Sequence, residues 1–106
     1  MENPYLVVLI TASDEEEAVK IAQILVEEKL AACVNIVPKL RSIYIWDGEM
    51  EDETEALMLC KTRHDLFDTL QKRVKELHSY LLPEIIGLPV IAGSDDYLNW
   101  IRDVTA

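Results

Sequence analysis

The sequence predicts an α+β fold: a βαββαβ sandwich with an extra C-terminal helix and a long central hairpin. Three observations carry this. Short apolar, β-branched runs alternate with stretches of helical periodicity. The pair Asp47-Gly48 stands between the two middle runs, where it reads as a hairpin turn. Repeats, low-complexity tracts and linkers are absent, so the 106 residues form a single domain spanning 1–106.

Tyr5 to Thr11 (YLVVLIT) is a continuous aliphatic run of the length of a strand buried on both faces. Ser13 opens a helix, with Glu16 reaching back to it as a capping box and Asp14 and Glu15 at the positive end of the dipole. Ala18, Ile21, Ala22, Leu25 and Leu30 form its apolar stripe, and Glu16 with Lys20 is a favourable i,i+4 pair. Ala32 to Val37 is strand-like and is broken at Pro38, which has no N–H for a ladder. Leu40 to Trp46 resumes the strand, and Glu49 to Lys61 returns after the turn, acidic at first and apolar later. Thr62 with Asp65 is expected to cap a second helix, whose buried stripe is Leu66, Leu70, Val74 and Leu77, with Phe67 beside it. Pro83 forbids its continuation. Ile85 to Ile91 is a last strand, placed at a sheet edge by Gly87 and Pro89. Ser94 caps a final helix with Asp95 and Asp96 in its first turn and Tyr97, Leu98, Ile101 and Val104 facing inward. This order is the split βαβ, or ferredoxin-like, arrangement.

Composition narrows the function. Acidic residues outnumber basic ones 20 to 10, for a formal charge of −10, which disfavours nucleic acid and anionic membrane surfaces as partners. No apolar run approaches the ~18 residues of a membrane span, and the N-terminus lacks the basic start of a signal peptide. Cys33 and Cys60 share no CxxC spacing and sit in apolar runs, so each is expected to be a buried free thiol, and the cytoplasm is the expected compartment. No Gly-rich phosphate loop, HExxH or nucleophile elbow occurs, and His64 and His78 lie at opposite ends of one helix. An enzyme is therefore not expected.

The central hairpin is longer than its neighbours can pair, and its unpaired edge invites a second chain. The residues that carry it also carry a likeness. EEKLAACVNIVP, SIYIWDGEMEDE, LMLCKT, LHSYLLPEI and DYLNWI, in this order, resemble the CutA family of divalent-cation tolerance proteins from about Val7 to Ile101. The resemblance implies a ferredoxin-like subunit in a homotrimer, with hairpins pairing across subunits, and a role in tolerance of copper and other divalent ions. Some members carry cysteines, proposed as copper ligands, where this chain has Ile10 and Arg73, and Ser79 replaces a usual proline. Thiolate-rich metal chemistry is thus not implied here; weak copper or other divalent binding, or action through a partner protein, is.

The candidate site is the stretch LHSYLLPEIIGLPV. His78, Tyr80 and Glu84 can line a polar pocket at a subunit junction, with Lys61 and Thr62 at the end of the long strand and Asn35 or Trp46 of a neighbour. Lys61 is the expected partner of Glu84, because a carboxylate among apolar neighbours is costly. The other reading is a hydrogen-bond network that only pins the turn. Trp46 and Tyr44 share a face and are expected to pack on a neighbour. Asp47, Glu49 and Glu51, in the acidic run that continues through Asp52 and Glu53 to Glu55, are the weak candidates for a metal site; a strand sends alternate side chains to opposite faces, so a solvated hairpin ridge is the favoured reading. The alternative function is a trimeric small-molecule sensor similar in layout to PII-type signalling proteins. A small enzyme such as an acylphosphatase needs an arginine-bearing loop where this chain has TASDEEE.

Overall fold

A computed structural model describes residues 3–106. Strands β1 (Tyr5–Ala12), β2 (Cys33–Trp46), β3 (Glu49–Arg63) and β4 (Ile85–Pro89) form one antiparallel sheet in the order β2-β3-β1-β4. Helices α1 (Glu15–Glu27) and α2 (Phe67–Leu77) follow β1 and β3, and α3 (Asp95–Val104) ends the chain. The predicted order holds, with β4 on an edge. Alternate residues of the central strands (Leu6, Val8, Ile10 and Ala12 of β1; Ala56, Met58 and Cys60 of β3) meet Ala18, Ile21, Leu25, Leu70 and Val74 of the two helices in the core.

Several local expectations are corrected. The first cap is Asp14, whose carboxylate accepts from Glu17 N–H at 2.8 Å, and Glu17 rather than Glu16 reaches back, to Ser13 N–H and Oγ at 3.0 Å each. The box is shifted by one residue because Asp14 and Glu17 have the same three-residue spacing and a carboxylate caps as well as a hydroxyl. Pro38 does not break β2. The register shifts between Val37 and Leu40, so a bulge takes up the residue that cannot donate. Thr62 does not cap α2: it lies in β3 facing the core, and its hydroxyl donates to Leu30 carbonyl at 2.7 Å. A 3-10 turn (His64–Leu66) intervenes, and Leu66 at the head of α2 has no side-chain cap bond. The last strand stops at Pro89 rather than Ile91, and in α3 only Ile101 is buried, with Tyr97 and Val104 exposed. Cys60 is buried but Cys33 only half so.

The hairpin turn is as expected: Asp47 and Gly48 both have positive φ, 53° and 79°, as a type I′ turn requires. Pairing between β1 and β3 ends at Ala12 and Ala56, and the arms from Leu40–Glu55 to Trp46–Glu49 pair only with each other. This projecting part leaves Ile43, Ile45 and Met50 64%, 69% and 71% exposed and stretches the chain to 44 × 26 × 22 Å. No helix among the described residues is long and apolar enough to cross a membrane.

Candidate functional site

The corner where β1 ends, the projecting hairpin begins and α2 stops is polar and tightly bonded. His78 follows the last turn of α2, with its N–H on Val74 carbonyl at 2.8 Å, and its ring is buried. Nδ1 accepts from the N–H of Tyr80 at 3.0 Å, so the proton sits on Nε2, which donates to Thr11 carbonyl at 2.7 Å. The ring thus ties the α2 exit to the end of β1, and Tyr80 stacks on it at a tilt, 4.7 Å between centroids. One oxygen of Glu17 takes the two Ser13 bonds and the other accepts from Ser79 N–H at 2.9 Å. Burial pushes this carboxyl up, but the hydrogen bonds from Ser13 and Ser79 outweigh it and bring it down to about 2.

Tyr80 reaches across this corner and donates its hydroxyl to Glu55 at 2.8 Å. Burial, then the bond to Glu55 and that carboxylate's charge, push the phenol up, so it serves as a donor. Glu55 is only 5% exposed. Burial, and then the charge of Glu55, also lift the carboxyl of Glu84. Glu55 is the residue that the sequence reading missed. Its signal was available: alternation along EMEDETEALMLC puts Glu49, Glu51, Glu53 and Glu55 on the face of Leu57 and Leu59, and of the four only Glu55 adjoins the apolar half of the strand.

Of the expected residues, the chain brings His78 and Tyr80 together, and leaves Glu84 exposed within reach of the charge of Glu55. Glu84 has no hydrogen bond to Tyr80 and no ion pair with Lys61 within the chain, because α2 runs back along β3. Its exit therefore lies near Glu55, while Lys61 pairs with Val7 and Cys33 at the opposite end of the sheet. Thr62 is sealed in the core at that same end. Asn35 is exposed on β2 opposite Leu59, and Trp46 stands at the hairpin tip, opposite Glu49 and half-exposed. Glu49, Glu51, Glu53 and Glu55 alternate onto the face that carries Tyr44 and Trp46, whereas Asp52 holds Arg41 with bonds of 2.6 and 2.7 Å on the other. Asp47 lies in the turn, so Asp47, Glu49 and Glu51 are strung along the ribbon, and among the described residues no three His, Cys, Asp or Glu side chains gather as metal ligands. Cys60 is a poor ligand: burial pushes its thiol up to about 12, Cys33 adding to this and Lys61 opposing it.

With sheet order, projecting hairpin and bonded corner in place, residues 6–104 match the family described as CutA1 divalent ion tolerance protein. The chain belongs to the CutA1 family. It is 54% identical over 99 residues to the divalent-cation tolerance protein CutA of Thermus thermophilus, covering 93% of this chain and 96% of that one. A CutA described as chloroplastic, from Arabidopsis thaliana, is 44% identical over 102 residues, 96% of this chain but 56% of the plant protein. Among solved structures, CutA1 of Thermus thermophilus superposes with a TM-score of 0.93 at 53% identity, covering 96% of this chain and 99% of that one. The Archaeoglobus fulgidus protein, described as a periplasmic divalent cation tolerance protein, gives 0.94 at 40% identity with the same coverage. The βαββαβ fold and the long β2–β3 hairpin of this CutA chain are therefore the family's own.

Proposed function

We propose that this CutA protein is a non-catalytic cytoplasmic homotrimer that acts in tolerance of divalent ions, copper among them, through weak metal binding or a protein partner. The observation that carries the reading is the projecting hairpin of a CutA subunit. It exposes apolar side chains and ladder groups that a lone chain leaves in water, and further copies would cover them. The corner of His78, Tyr80, Glu84 and Glu55 then lies at a subunit junction, with Lys61, Asn35 or Trp46 arriving from a neighbour. Binding of metal is weak in this reading because the acidic row is spread along a ribbon and Cys60 is buried as a thiol. Calorimetry with copper tests this. Wild type and a Cys33→Ser/Cys60→Ser variant should bind with nearly equal, low affinity, although the variant loses stability. Tight binding that disappears with the cysteines would overturn the reading.

A further inference from the structure

The sheet has one face covered by α1 and α2 and one largely open. The open face is apolar, with Leu57 and Leu59 of β3 beside Leu9 of β1 and Ile86 and Leu88 exposed on β4. Helix α3 reaches only one end of it, where Arg63 donates to Thr105 carbonyl at 3.3 Å. At that end, also on this face, stands Lys61. At the other end stands Glu55.

Both ends carry charge that no ion pair among the described residues neutralises. Glu55 is 5% exposed, and only its Oε2 meets a donor, the Tyr80 hydroxyl. Glu84 is exposed in the lone chain, feels the charge of Glu55 and has no hydrogen-bond donor among the described residues. Among the described residues neither carboxylate forms an ion pair, and neither does Lys61, half-buried opposite Val7. From position 55 to position 61 one strand spans about 20 Å, at ~3.3 Å per residue, so the two ends cannot meet within one chain. A copy that covers the apolar face withdraws both ends from water, and a charge buried alone is costly. Head-to-tail packing lays the acidic end of one face on the basic end of the next and can close into a ring. The other lysines, also without an ion pair among the described residues, sit elsewhere: Lys20, Lys29, Lys72 and Lys75 on or just beyond the helices, and Lys39 in the bulge of β2.

We propose that Lys61 of the partner subunit completes the Glu55–Glu84 carboxylate pair, making the corner a composite site that holds an ammonium group between subunits. The inference rests on the homotrimer proposed above and names what fills its junction: a lysine and not a metal ion. Subunit exchange between labelled and unlabelled trimers tests it, read by mass. Lys61→Met and Glu84→Gln should each speed exchange about tenfold or more, and the double variant should exchange no faster than the faster single one. Lys61→Glu alone should dissociate, and Lys61→Glu/Glu84→Lys should recover trimers. A wild-type trimer in which the two single effects multiply, or whose exchange ignores Lys61→Met, would overturn the inference and leave the trimer standing. So would copper slowing exchange of the wild type but not of Glu84→Gln. A wild-type monomer would overturn the trimer and the inference together.

Discussion

His78 has both ring nitrogens committed: Nδ1 accepts from Tyr80 N–H and fixes the loop after α2, and Nε2 donates across to Thr11 carbonyl at the end of β1. Asparagine or alanine cannot span both. His78→Ala should therefore cost about 2–3 kcal/mol, the sum of one buried and one part-buried hydrogen bond and a small void, read as a lower urea midpoint. Glu17 is bound more tightly than its exposure suggests, with both oxygens accepting from Ser13 and Ser79. Its folded carboxyl is depressed from 4.5 to about 2, so its contribution is present above pH 4.5 and is lost as pH falls through about 2. Glu17→Gln should destabilise at neutral pH by on the order of 1 kcal/mol, after discounting for solvent screening, and by nothing near pH 2. Urea denaturation of both proteins across that range checks the convergence. If the gap stays constant down to pH 2, the carboxylate bonds do not contribute as described.

The elements were largely legible because their periods are distinct. Alternating burial in β1 and β3 and the stripe of α1 follow from the spacing of aliphatic residues, and Asp47-Gly48 announced its own turn. Side-chain placement at element ends was not legible, since Ser13 and Asp14 compete for one cap and a bulge can absorb Pro38 without a visible signal. The site was half legible for a geometric reason. His78 and Tyr80 are local, but Glu55, the partner of the Tyr80 hydroxyl, is set by strand pairing. An eleven-residue α2 runs about 16 Å back along β3, at 1.5 Å per residue, which carries its exit away from Lys61 and toward Glu55. One further detail belongs to α1. Lys29 has φ 61° where the helix ends, with Leu30 and Ala31 N–H both on Leu25 carbonyl. That left-handed position suits glycine, so Lys29→Gly should raise stability by about 0.5–1 kcal/mol, seen as a higher melting temperature.

At the scale of the molecule, the lone chain leaves much apolar surface in water. Its hairpin projects past every partner in the chain, Leu81 in the corner loop is 93% exposed, and the open sheet face is apolar. The hydrophobic effect alone drives such surfaces together, while a net charge of −10 opposes indiscriminate association. The closed trimer proposed above would satisfy both. Sedimentation equilibrium at low micromolar concentration tests this most directly. A single species of three times the 12.1 kDa chain mass is predicted, and a clean 12.1 kDa species would contradict the account.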